Sequence, residues 1–243
     1  MPETSPTTAT SGKKCPWHHV EFSADGSCPV CQEKFAAEDI KAAAAKAADL
    51  DRRLGSIRLG RRYVGVGFDE YLPVCDEAVR VKTICSRYAE TFADRLAGGD
   101  NLLLLGNPGT GKNMLAAAIC NRLAVDGFLP LHTTAMRLVR RITETWGAGN
   151  TEKEQAVIDS FTIPDLLVVD EVGVQFGSRK EEILLFEALN GRYEEKKPTV
   201  IISNLTLQNV EVYLGASILD RFYEGKSSVL EFTWGSYRRG RKG

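Results

Sequence analysis

Residues Gly106–Asn113 read GNPGTGKN, directly after the apolar run NLLLL (101–105) and directly before a stretch of helical period. Strand, glycine-rich turn, lysine and helix in that order constrain the fold more than any other segment. The backbone of Gly106, Asn107, Pro108, Gly109, Thr110, Gly111, Lys112 and Asn113 is expected to curl around a triphosphate. The following helix adds the positive end of its dipole, and Lys112 reaches the outer phosphates. Glycine is needed because a Cβ would hold the backbone away from the phosphates. Asn113 stands where G-x-x-x-x-G-K-[ST] has a hydroxyl that ligates Mg²⁺, and an amide oxygen is a bulkier, neutral ligand. The pattern predicts binding of ATP and ADP with Mg²⁺ ahead of fast turnover.

The rest of the chain alternates in the same way. A helical period covers 76–97, and further helices are expected from Gly111 to about Val125, near 135–146 and 152–160, and near 179–195. Strands are expected at 101–105, 129–133, 166–170, 199–203 and 229–232, with short helices before the last. This is the α/β class, a parallel sheet wrapped by helices. LLVVDE (166–171) puts Asp170 and Glu171 at the C-terminal end of a buried apolar strand, where open parallel sheets hold their ligands. Asp170 is placed to hold Mg²⁺ directly or through water, and Glu171 to polarise a water for attack on the γ-phosphate.

Two x₂ pairs near the N-terminus, Cys15-Pro-Trp-His18 and Cys28-Pro-Val-Cys31, lie nine residues apart. Each is a tight turn aiming two soft ligands at one centre, and four such ligands satisfy tetrahedral Zn²⁺ with no open position for catalysis. His19 is an alternative to His18, but x₂ spacing on both arms favours His18. Three of the six cysteines belong to this cluster, which reads as metal in a reducing compartment rather than a disulfide framework. Cys75, Cys85 and Cys120 lie among apolar residues and read as packing. Around the cluster, residues 1–14 are expected to be a disordered tail, 15–35 a zinc knuckle or ribbon, and 36–70 an Ala-rich helix and linker. The remainder, 71–243, is the nucleotide-binding domain. The 36–49 stretch holds eight Ala, a strong helix former with a thin apolar stripe.

A formal net charge of −1, from 31 Lys+Arg against 32 Asp+Glu, argues against a surface that clamps nucleic acid everywhere. Any such binding is expected to be local. No run approaches the ~20 apolar residues of a membrane span, and no apolar run of signal type opens the chain, so the expectation is a cytoplasmic protein with no membrane partner.

GNPGTGKNMLAAAICNRL, LLVVDEVGVQ, the VIISN strand, ILDRF and WGSYR together resemble the bacterial and phage DnaC-type replicative helicase loaders. These are AAA+ ATPases, in a group that also contains the IstB transposition helpers. The likeness covers about residues 60–243. It implies a P-loop NTPase module without a C-terminal helical lid, since the sequence runs only five residues past Arg238. It further implies an ATPase stimulated by single-stranded DNA and by self-assembly into a helical oligomer. The client would be a hexameric DnaB-type helicase placed on single-stranded DNA during replication initiation. By the same resemblance, Asn204 is the polar residue that orients the attacking water, and Arg221 an arginine finger reaching a neighbouring subunit's γ-phosphate. Arg238 would contact nucleotide in its own subunit. The DNA-facing positions would be Arg137, Arg140, Arg141 and Trp146, with Ser178 and Lys180 as a second place. A basic face with an aromatic tip suits sequence-independent single-strand binding. The same helix also reads as an ordinary amphipathic one with a solvated basic face and Trp146 in the core.

Two other readings follow from the same residues: an IstB-like ATPase helper of a DNA transposase, and a zinc-knuckle binding protein whose P-loop holds nucleotide as a structural switch. The zinc module and Ala-rich helix are expected to dock on the client.

Overall fold

The computed structural model describes residues 14–23, 26–147, 149–173, 179–224 and 226–237, with the side chains of residues 180 and 181 outside the description. Two compact units divide the chain, Met1–Asp51 and Arg52–Gly243.

In the first unit, the backbone of Lys14 bridges Glu21 in antiparallel fashion. Cys15 N–H donates to Val20 O and His19 N–H to Cys15 O, both at 2.8 Å, which closes a tight turn. Helix α1, Pro29–Ser56, begins in this unit one residue after Cys28, ends five residues into the second, and buries none of its residues. Its alanines supply propensity without a stripe wide enough to pack.

The second unit is a five-stranded, all-parallel sheet in the order β2-β3-β4-β1-β5. The strands are β1 Leu102–Gly106, β2 Pro130–Thr134, β3 Leu166–Asp170, β4 Thr199–Ser203 and β5 Ser228–Phe232. The helices are α2 Asp76–Glu90, α3 Phe92–Gly98, α4 Lys112–Val125, α5 Ala135–Thr143, α6 Glu154–Ser160, α7 Arg179–Glu194, α8 Leu207–Leu214 and α9 Ala216–Tyr223. Side chains alternate faces along a strand, so Leu102 and Leu104 pack with α2 and α4 while Leu103 and Leu105 pack with α5 to α9. A strand covered on both faces must be apolar at every position, which is why it reads LLLL rather than alternating. Each such buried leucine contributes about 1.5–3 kcal/mol.

Helix α4 is buried on almost every side by Leu115, Ile119, Leu123 and four alanines. Small side chains let it lie close to the sheet, with its N-terminus delivered to the end of β1. Ile57 and Tyr71, from the segment before α2, are fully enclosed in the same core face. The single helix expected over 76–97 is two, broken at Thr91. There Thr91 Oγ1 donates to Arg87 O at 2.8 Å, a local bond that competes with helix continuation. The helix expected to reach 146 ends at Thr143 and continues as a 3₁₀ turn, Glu144–Trp146. Among the described residues, no helix is long and apolar enough to cross a membrane.

Candidate functional site: a phosphate loop at the carboxyl edge of the sheet

All strands run the same way, so the ends of β1, β3 and β4 meet at one edge. The loop after β1 is held in a tight curl. Gly106, Gly109 and Gly111 adopt φ of 112°, 77° and 97°. A Cβ on Gly106 would sit 2.6 Å from Phe232 O, and one on Gly111 2.4 Å from the Tyr71 ring. These positions demand glycine on both counts. Lys112, 4% exposed, lays its ammonium across the loop and donates to Gly106 O and Asn107 O, each at 2.7 Å. Burial pulls its pKa down to about 8, against the upward pull of Asp170.

Residues distant in sequence brace the curl. Tyr71 hydroxyl donates to Thr110 O at 3.2 Å, Asn107 Nδ2 donates to Thr233 O and Trp234 O, and Tyr237 N–H donates to Gly109 O. Tyr71 and Tyr237 meet edge to face, with ring centroids 6.0 Å apart. Sequence reasoning missed this bracing. Tyr71 sits in FDEYLP, which matches no pattern, and its partner lies 39 residues away.

At the end of β3, Asp170 is 7% exposed, and burial raises its carboxyl above the usual range. Three neighbours oppose that: Glu171 N–H, donating to Oδ1 at 2.7 Å, Asn113, and the charge of Lys112. Asn113 Nδ2 donates to Asp170 Oδ2 at 2.5 Å. Glu171 is exposed and sits at φ 58°, a left-handed conformation rare for a non-glycine residue. Asn204 follows β4 and is exposed at the same edge. The fold therefore brings together Lys112, Asn113, Asp170, Glu171 and Asn204. The glycine cradle, the buried lysine and the two acids suit a nucleotide polyphosphate, and Asp170 supplies carboxylate oxygens for a hard divalent cation, one of them held by the Asn113 amide.

Arg221, in the last turn of α9, is not at this edge. It shares a cavity of about 350 Å³ with Gly98, Gly99 and Asn101, which precede β1, and with Lys196 and Lys197, which precede β4. Five-residue strands at ~3.3 Å per residue separate the two edges by roughly 16 Å. Arg238 and Ser178 lie outside the described residues, as does the side chain of Lys180.

On α5, Leu138, Val139 and Ile142 are buried, while Arg137 and Arg140 are exposed on the opposite face. Arg141 is bound by Glu152, with both carboxylate oxygens at 2.8 Å from Nη2. Trp146 is 46% exposed, and its indole N–H meets the Glu154 carboxylate. The alternative that buried Trp146 in the core is corrected: α5 ends before Trp146, and the 3₁₀ turn carries it outward.

In the first unit, Cys15, His18, Cys28 and Cys31 place their ligand atoms within 4.8 Å of one another. His18 Nδ1 lies 3.6, 3.7 and 3.4 Å from the sulfurs of Cys15, Cys28 and Cys31, and Cys15 Sγ is 3.9 Å from Cys31 Sγ. Zn–S of about 2.3 Å and Zn–N of about 2.0 Å give tetrahedral edges of roughly 3.5–3.8 Å, so the donor set fits that ion. Burial works to raise the Cys15 thiol, but the Trp17 and His18 backbone N–H groups bring it down to about 6. Burial and the neighbouring sulfurs push Cys31 up to about 11.

The family model for IstB-like ATP binding proteins matches residues 84–243. The replicative helicase loader DnaC of Buchnera aphidicola subsp. Baizongia pistaciae is 32% identical over 194 residues, covering 80% of this chain and 78% of that one. The DnaC loader of Escherichia coli K12 is 33% identical over 171 residues, 70% of this chain and 68% of its own. The crystal structure of a DnaC helicase loader superposes with a TM-score of 0.63 at 22% identity, covering 72% of this chain and all of that one. With the phosphate loop, the acidic strand end and the sheet order in place, the chain belongs to the DnaC/IstB-like family of AAA+ ATP-binding proteins.

Proposed function

We propose that this protein is an ATPase that places a hexameric DnaB-type replicative helicase on single-stranded DNA. The client rests on similarity to replicative helicase loader DnaC over four-fifths of the chain. One geometric observation supports the mode of action. The phosphate loop and its acids stand at one edge of the sheet and Arg221 at the other, so one copy does not bring its own Arg221 to its own nucleotide.

In this reading Lys112 and the loop backbone hold the phosphates, Glu171 takes the proton of the attacking water, and Asn204 orients that water. Mg²⁺, held by Asp170 in competition with the Asn113 amide, would neutralise charge on the outer phosphates. Arg221 acts on the nucleotide of the neighbouring copy in a helical assembly, and Arg238 on its own. Binding of ATP favours assembly, and slow hydrolysis ends it. Arg137, Arg140 and Trp146 meet the DNA strand inside the assembly, with Arg141, Ser178 and Lys180 contributing near it. The Zn²⁺ unit, with Trp17, Phe35 and Ile40 exposed at 78%, 66% and 70%, docks on the helicase.

The match to IstB-like proteins keeps a second client in view, a DNA transposase. Capture experiments with a candidate helicase and a candidate transposase separate the two. Turnover stimulated by single-stranded DNA is expected as well, and its absence would favour a nucleotide-holding switch over a motor.

A further inference from the structure

Arg221 is held by two residues of α7. Its Nη1 donates to Asn190 Oδ1, and its guanidinium carbon lies 5.3 Å from the centroid of the Tyr193 ring. Asn190 and Tyr193 are three apart on one helix, so they share a face. The Tyr193 hydroxyl donates to Glu224 Oε2 at 2.7 Å, and Glu224 is the residue that ends α9, three after Arg221. Two side chains of α7 thus interlock with Arg221 of α9 and with Glu224, which caps it.

The chemistry of the clamp is selective. Among the described residues, the two groups that touch the guanidinium are neutral, an amide oxygen and a ring face, while the nearby carboxylate is engaged by the tyrosine hydroxyl. A surface arginine fixed only for stability would be met by that carboxylate. Here the arginine is fixed in direction with its charge left for an anion. The clamp borders the cavity that also carries Lys196 and Lys197 against Glu194 and Glu224, which leaves a net positive lining where a polyphosphate from a second copy would arrive.

We propose that Asn190 and Tyr193 are positioning residues for Arg221: they preset the arginine that acts on the neighbouring copy's γ-phosphate, and Glu224 fixes the tyrosine ring. This rests on the assignment of Arg221 as a trans-acting residue.

The test uses the full chain and two kinds of subunit. Reporter subunits carry Arg221→Ala, which removes the arginine and leaves the nucleotide site. Donor subunits carry Lys112→Ala, which removes nucleotide binding and leaves the arginine, so all measured turnover belongs to the reporter. Co-assembly is quantified for every mixture. Donors with intact α7 should restore ATP hydrolysis. Donors that also carry Tyr193→Leu or Asn190→Ala should restore it about 3- to 10-fold less, in line with the energy of one cation–ring or hydrogen-bond contact. Tyr193→Phe, which keeps the ring face, should fall between. The reporter's KM for ATP should not change in any mixture. Equal rescue by altered and unaltered donors overturns the positioning roles and leaves the trans arginine standing. Failure of the unaltered donor to rescue, with co-assembly demonstrated, overturns the trans arginine and this proposal with it.

Discussion

The side-chain amide of Asn113 donates to the carboxylate of Asp170 at 2.5 Å, joining the first turn of α4 to the end of β3. A hydroxyl at position 113 would present a ligand to a cation, whereas this amide proton occupies one of the oxygens a cation would use. A hydrogen bond to an ionised group is worth about 1.5–3 kcal/mol. Asn113→Thr should therefore lower the Mg²⁺ concentration for half-maximal ATP hydrolysis by about tenfold and raise turnover at limiting Mg²⁺. A Mg²⁺ titration of both proteins checks this, and an unchanged midpoint would show that Asn113 does not restrain Asp170.

Lys112 gives a pH dependence with a definite sign. Its folded pKa, about 8 by burial, is below the ordinary lysine value, so the unfolded chain binds more protons above that pH. The cost of burying the ammonium is present below about pH 8 and is relieved as pH rises through it, so fold stability gains from this residue in that direction. Nucleotide affinity runs the other way, because phosphate needs the charged form. ATP Kd should rise above about pH 8, by up to about tenfold per pH unit, accompanied by proton uptake on binding. Calorimetry in two buffers measures that uptake, and a flat Kd through pH 9.5 would contradict it.

The zinc site is testable without activity. Purified protein should carry about one Zn²⁺ per chain, and Cys28→Ser should lose it while ATP affinity is kept, since Cys28 and Lys112 belong to different units. Metal content that survives the substitution would remove Cys28 from the ligand set.

On α5, Arg137 and Arg140 are the exposed arginines, while Arg141 is bound by Glu152. Replacing either exposed arginine by Ala should reduce the slope of log K against log salt for single-stranded DNA by about 0.7, one phosphate contact each. Arg141→Ala should change it less. Equal slopes for all three variants and the parent would take α5 out of the DNA surface.

The sheet was legible because its signals are local. Runs such as Leu102–Leu105 and Leu166–Val169 have no polar interruption, and only strands covered on both faces tolerate that. The glycine–lysine turn and the acidic strand end were legible for a related reason: phosphate chemistry fixes residue types at fixed spacing. The support of those residues was not. Tyr71 reaches Thr110 across 39 positions, and Tyr193 and Asn190 reach Arg221 across about 30, joined by packing that no periodicity encodes. The outward turn of Trp146 was hidden because it depends on where α5 stops.

Helicase transfer tests the central claim most directly. Circular single-stranded DNA is incubated with the candidate hexameric helicase and this protein, and DNA-bound helicase is counted after loader is washed away. With ATP, the protein should raise bound helicase well above the helicase-alone level. Lys112→Ala should give no increase, and Glu171→Gln should leave protein, helicase and DNA together in a complex that does not resolve, because it binds ATP without turning it over. Helicase bound to the same extent with parent, Lys112→Ala or no protein at all would contradict the account.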